Sequence, residues 1–249
     1  MDHKRLKAIY RPRGPAREYA ELALNPYKGC THACVYCYNA KRYGANGAFF
    51  RSAQPRDNII EAVERDCQYL ATALGDRCPE IHMTFLGDCY QPAELDLCLT
   101  RQIIILFIKY NLPFTILTKS PLILRDVDLL GPYKKFRAGF SFTTVNPDEA
   151  RAWEPGLLDV GQRIHTLQQF AGFGKPVWVS LEPVMRIEST LGVIEELKTI
   201  PDFYWIGALN HHKPPEPINK LTATNRIGAA LTQFGCKFQF KNSLTYTLA

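Results

Sequence analysis

ALNPYKGCTHACVYCY, residues 23–38, sets three cysteines at positions 30, 34 and 37 behind a short apolar run, with tyrosines at 36 and 38. The run 23–27 reads as a first strand that delivers the chain into the thiols. Working outward, the remaining cysteines, Cys67, Cys78, Cys89, Cys98 and Cys236, are dispersed through a chain of 249 residues. Disulfide frameworks belong to much smaller secreted domains. A reducing, cytoplasmic setting with one soft-metal site fits this cysteine usage better. Thiolates suit zinc, copper(I) and iron–sulfur clusters. Structural zinc takes four ligands, commonly from paired knuckles, and His32, His211 or His212 would have to supply the fourth. A cubane cluster bound by three cysteines leaves one iron open to a small molecule, whereas a distant ligand such as Cys89 would close it for electron transfer alone.

Downstream of the thiols the chain alternates. Ile59, Ile60, Val63, Cys67, Leu70, Ala71 and Leu74 recur at helical spacing, with Pro55 and Asp57 just ahead. IHMTFLG (81–87) reads as a buried strand, 94–110 as a helix, PFTILTK (113–119) as a strand and PLILRDVDLLG (121–131) as a helix. RAGFSFTT (137–144), VWVSLEP (177–183) and FYWIGALN (203–210) read as strands, and 161–173, 189–200 and 218–234 as helices. Roughly six strand–helix repeats argue for a parallel sheet covered by helices, either open or closed into a partial barrel. No Gly-x-Gly-x-x-Gly follows the first strand, so a dinucleotide-binding sheet is poorly supported. Polar residues gather where the expected strands end: Gly87, Asp88 and Cys89; Thr118 and Lys119; Ser141; Ser180 and Glu182; Asn210 and His211. In parallel α/β folds those ends collect the chemistry, on the rim that the cysteine loop also occupies.

Composition narrows the classes further. Apolar residues make up 46% and charged residues 22%, an ordinary balance for a packed core. No apolar run reaches the length of a membrane span, and the basic N-terminus lacks the apolar stretch of a secretory signal. Lys4, Arg5, Lys7, Arg11, Arg13 and Arg17 concentrate positive charge in a basic arm, residues 1–19, ahead of a single domain over 20–249. Such an arm suits either contact with a nucleic acid backbone or a solvated tail.

CTHACVYC fits the C-x3-C-x-aromatic-C motif of the radical S-adenosylmethionine (SAM) superfamily. LNPYKGCTHACVYCYNA, TFLGDCYQPAE, LTKSP, FSFTT and LEPV together resemble its spore photoproduct lyase-like branch over residues 20–207. The resemblance implies a partial (β/α)6 barrel of the TIM type. It implies that Cys30, Cys34 and Cys37 bind a 4Fe-4S cluster whose fourth iron is chelated by SAM. Reduction of the sulfonium would then give methionine and a 5′-deoxyadenosyl radical that abstracts hydrogen from substrate. By the same resemblance Tyr36, Gly87, Asp88, Lys119, Ser141 and Glu182 line the cofactor site, with Asp88 in the place of the acid of a Ser-Asp pair and Lys119 near the SAM carboxylate. Tyr38 matches a tyrosine of the hydrogen-transfer relay. The lyase's hydrogen-returning cysteine falls at Phe85, which has no transferable thiol hydrogen, and Cys89 is the nearby candidate to supply it. The chain is also shorter than the lyase, so repair of the spore thymine dimer is not expected. Nothing indicates a second cluster domain or a cobalamin domain. The implied partners are a reduced flavodoxin or ferredoxin-type electron donor and a DNA, RNA or nucleotide substrate, acting on a cytoplasmic monomer. Modification of a peptide, protein or small metabolite, and a non-enzymatic iron–sulfur electron carrier, are the competing readings.

Overall fold

The computed structural model describes residues 6–44, 46–157 and 159–245. Lys4 and Arg5 of the basic arm lie outside them, as does Ala45 in the glycine-containing loop. In chain order the strands are β1 (Leu22–Leu24), β2 (Tyr27–Lys28), β3 (Gln54–Pro55), β4 (Ile81–Met83), β5 (Phe114–Thr118), β6 (Phe136–Ser141), β7 (Val177–Val184), β8 (Phe203–Ala208) and β9 (Phe238–Phe240). The helices are α1 (Ala40–Tyr43), α2 (Ile59–Leu74), α3 (Glu94–Leu97), α4 (Leu99–Lys109), α5 (Val127–Leu130), α6 (Pro147–Trp153), α7 (Val160–Gly172), α8 (Ile187–Leu197), α9 (Lys220–Gln233) and α10 (Asn242–Thr245). The chain divides into two compact units, and one of the three crossings between them falls between Thr31 and His32, inside the cysteine loop.

The first unit takes residues up to 31 together with 46–137. Strands β1, β4 and β5 run parallel in that order. Helix α2 buries Ile59, Val63, Cys67 and Leu70, the face its spacing predicts. Asp66 lies on the same face and is equally buried, because its carboxylate accepts the backbone N–H groups of Lys7, Ala8 and Ile9 at 2.7–3.0 Å. The strand expected over 81–87 stops at Met83. The amides of Phe85 and Leu86 turn to the Asn25 side-chain oxygen (2.9 and 2.8 Å) instead of continuing the ladder. Similarly, the helix expected over 94–110 is two helices. Cys98 adopts a left-handed φ of 48°, and the Glu94 carboxylate folds back to accept the Thr100 amide at 2.9 Å, capping α4 from within the expected helix.

The second unit takes residues 32–44 and 138–245, within which β6, β7, β8 and β9 run parallel in that order. Strand β9 and helix α10 follow the last expected helix. Helix α6 was also unforeseen, although NPDEA signals it: Asn146 accepts the amides of Asp148 and Glu149, and Pro147 occupies the first turn. Parallel strands alternating with helices give the expected α/β class, with seven such strands among the described residues rather than six. No helix among them is long and apolar enough to cross a membrane.

Candidate cofactor site

In the first unit the approach to Cys30 is built from close backbone contacts. Gly29 has φ 94°, and a Cβ there would overlap the Ser52 carbonyl oxygen, so only glycine fits. Cys30 N–H donates to Phe49 O at 2.7 Å. Gly87, φ 85°, lies against the same segment, where a Cβ would stand 2.9 Å from Gly29 O and 3.3 Å from Cys30 Cβ. Glycine at 87 therefore lets the residues after β4 press on the first cysteine, a role no side chain could share.

Asp88 and Lys119 come together, but through the main chain. The Asp88 carboxylate accepts from the Tyr90 amide, the Thr118 hydroxyl and the Lys119 amide, each at 2.8 Å. Asp88 thereby holds the end of β5 in place. Cys89 is fully buried. Burial, and then the charges of Asp88 and Glu94, push its thiol pKa well up. The thiol is enclosed within the first unit. Phe85 stacks on His82 with ring centroids 4.2 Å apart, as an aromatic packing element of the first unit.

In the second unit, two main-chain bonds tether the loop to the residues around the end of α6: Val35 N–H to Trp153 O (2.9 Å) and Gly156 N–H to His32 O (3.0 Å). A turn brings Cys37 N–H to Cys34 O at 3.0 Å. Tyr36 packs with Trp153 and Met185, and Cys34 and Leu209 flank them. Its phenol donates to the Glu154 carboxylate. Glu154 also accepts from Arg163 at 2.7 Å and from Thr143 at 3.2 Å. Both charged side chains are only 2% exposed. Burial foremost, then the charges of Cys34 and Glu154, hold the Tyr36 phenol well above its ordinary pKa, so it stays protonated. Through this bond Tyr36 ties the loop to the residue that ends α6.

Arg163 donates a second bond, at 2.8 Å, to the Ser141 carbonyl, which fixes the end of β6. The Ser141 side chain is buried there. Glu182 packs over Gly207, where a Cβ would lie 2.6 Å from the carboxylate carbon, and pairs with Lys241 Nζ at 2.9 Å. Tyr38 is 48% exposed. The His212 ring nitrogen Nε2 lies 3.0 Å from Cys37 O, and since a carbonyl only accepts, Nε2 carries the proton.

None of the cysteines forms a disulfide. Among the described residues no group of three or more His, Cys, Asp or Glu side chains is gathered as a metal site. Reading motifs alone found the cysteines and strand-end residues but missed Gln91, Glu154, Arg163 and Lys241. Gln91 lies inside TFLGDCYQPAE and Arg163 inside the expected helix 161–173, yet nothing in the sequence marks the partners that any of the four meets on folding.

Compared with known families, residues 24–197 match the model of the radical SAM superfamily. The chain belongs to the radical SAM superfamily. Radical SAM proteins are enzymes that use a 4Fe-4S cluster and SAM and need an electron donor, and three thiols on one short loop are the donor set such a cluster requires. The uncharacterized protein MJ0683 of Methanocaldococcus jannaschii is 26% identical over 197 residues, 77% of this chain and 71% of that one. Among solved structures, Streptococcus suis SuiB bound to S-adenosylmethionine aligns with a TM-score of 0.66 at 14% identity, covering 88% of this chain. The chain spans about half of SuiB's length, 50%. A spore photoproduct lyase variant with bound AdoMet and dinucleoside spore photoproduct aligns with a TM-score of 0.68 at 15% identity, covering 95% of this chain and 80% of that one. At such identities the likeness is one of fold.

Proposed function

We propose that this radical SAM enzyme belongs to the spore photoproduct lyase-like branch and acts on a nucleic acid or nucleotide. The observation that carries the cofactor reading is the loop itself. Its thiols, Cys30, Cys34 and Cys37, sit on backbone that is braced by close contacts on either side. In this reading they hold the cluster, and Gly87, Ser141 and Glu182 contribute to the SAM site. Bound cluster and SAM supply one chemistry, reductive cleavage of the sulfonium to a 5′-deoxyadenosyl radical. The chain's own residues contribute position: Asp88 fixes the β5 end, Arg163 fixes the β6 end and Tyr36 anchors the loop. Tyr38, on the exposed part of the loop, and the buried Cys89 are the candidates for hydrogen transfer. A flavodoxin or ferredoxin-type donor and a cytoplasmic, monomeric enzyme complete the reading.

The basic arm supports the substrate class. Residues 7–10 of it are docked: Asp66 holds the amides of Lys7, Ala8 and Ile9, and Tyr10 and Ala23 exchange backbone hydrogen bonds of 2.9 and 2.8 Å. Arg11, Arg13 and Arg17 then line a surface cavity of about 700 Å³, with Glu21 the acid at its edge. Guanidinium groups presented from ordered backbone suit phosphodiester oxygens. Replacing all three arginines with glutamine is expected to weaken oligonucleotide binding and to flatten the log–log salt slope by about 1 per arginine. Fluorescence anisotropy across a salt series checks this, and an unchanged slope would remove the support.

Anaerobic reconstitution, chemical reduction and addition of SAM should give methionine and 5′-deoxyadenosine. A fully loaded chain that leaves SAM intact would favour the electron-carrier reading instead. With a deuterated oligonucleotide, label should appear in 5′-deoxyadenosine. Label arriving only from a peptide or metabolite would displace the nucleic acid class.

A further inference from the structure

We propose that Gln91 is the positioning residue for Cys30. The inference rests on the reading of Cys30 as a cluster ligand. Gln91 is fully buried. Its Nε2 donates to Gly29 O at 3.1 Å and to Asp88 O at 3.0 Å, and its Oε1 accepts the Thr31 amide at 3.0 Å. One side chain therefore grips the main chain immediately before and immediately after Cys30, and joins both to the strand-end segment at Asp88.

The amide is the right group for this task. Two carbonyls need donors and one N–H needs an acceptor, and a primary amide offers both at once. A carboxylate would face two carbonyl oxygens with no proton to give. An aliphatic side chain would leave three buried backbone groups without their partner, each an expensive loss inside a protein. The surroundings permit little adjustment. Gly29 is wedged against Ser52 O, Gly87 against Gly29 O, and Cys30 N–H is committed to Phe49 O. With those contacts set, the Gln91 bonds decide the remaining freedom of the peptide planes on either side of Cys30. Hydrogen-bonded partners that orient a metal ligand typically contribute 10- to 100-fold in metal affinity.

Gln91→Leu tests this at nearly constant volume. The full-length variant should show the circular dichroism spectrum of the unaltered chain. Under chelator competition it should retain iron about 10- to 100-fold less tightly, and the electron paramagnetic resonance spectrum of the reduced cluster should change. Gln91→Glu keeps the acceptor for Thr31 but loses both donations, so it should fall short in the same direction. A folded Leu variant with unaltered iron retention and an unaltered spectrum would overturn the inference, since a merely structural tether predicts that outcome. Should both variants fail to fold, hydrogen exchange on the unaltered, loaded chain decides. The Thr31 amide should exchange slowly, and exchange at the rate of an exposed amide would refute the bond. Cys30→Ala separates the two levels. Iron held normally by Cys30→Ala rejects the ligand reading, whereas iron lost there but kept by Gln91→Leu rejects only the role of Gln91.

Discussion

Cys34→Ala is expected to yield a folded chain that neither retains a 4Fe-4S cluster nor forms 5′-deoxyadenosine. Cys34 is half-buried beside Tyr36, Trp153 and Met185. Losing its sulfur removes a single atom from that cluster, an ordinary cost of about 1 kcal/mol. The chemical cost is of another order. Two thiols cannot hold three corners of a cubane, so iron retention should fall by more than the roughly 100-fold that a lost supporting hydrogen bond produces. Iron and sulfide assays after reconstitution, with chromatographic detection of 5′-deoxyadenosine, give the answer. Substantial SAM cleavage by the variant would show that Cys34 is not in the ligand set.

Glu154→Ala should be the most damaging single change to stability in the second unit. The carboxylate is the partner of Arg163, and both side chains are 2% exposed. It also receives the Tyr36 phenol and the Thr143 hydroxyl. Removing one member of a buried ion pair leaves the other charge uncompensated, a loss of about 3–5 kcal/mol. Urea denaturation should register it as a lower midpoint with little change in slope. Replacing Glu154 and Arg163 together with apolar residues of similar volume should recover much of the loss. A loss below about 1 kcal/mol for Glu154→Ala would mean that water reaches the pair. Because Tyr36 and the Ser141 carbonyl depend on the same two residues, the variant should also loosen the loop that carries Cys34 and Cys37.

The residues named by these tests divide by how far the sequence exposes them. The cysteines were legible because their spacing is a local property and their chemistry needs no partner to be recognised. The alternation of strands and helices was legible for the same reason, since apolar periodicity lies within each segment. What sequence reading lost is what depends on distant partners. Nothing near Glu94 announces that its side chain will cap a helix and split 94–110 in two. Nothing near Asn25 announces that it will take the amides of Phe85 and Leu86 and end β4 early. Gln91 stood in plain view inside GDCYQPAE, yet its meaning appears only when Gly29 and Thr31 arrive beside it. The full burial of Cys89 is likewise invisible from its place next to Asp88.

The carboxylate of Asp66 sets a boundary on how the polypeptide can be trimmed. Lys7, Ala8 and Ile9 together supply it with its backbone donors. A shortened chain beginning at residue 10 would look conservative, since it discards only residues ahead of the first strand. It would instead leave a negative charge inside the face of α2 without those three amides, and would uncover the floor beneath Ile9, which is 1% exposed. Any fusion or deletion meant to probe the arginines should therefore keep residues 7–9 and alter side chains alone.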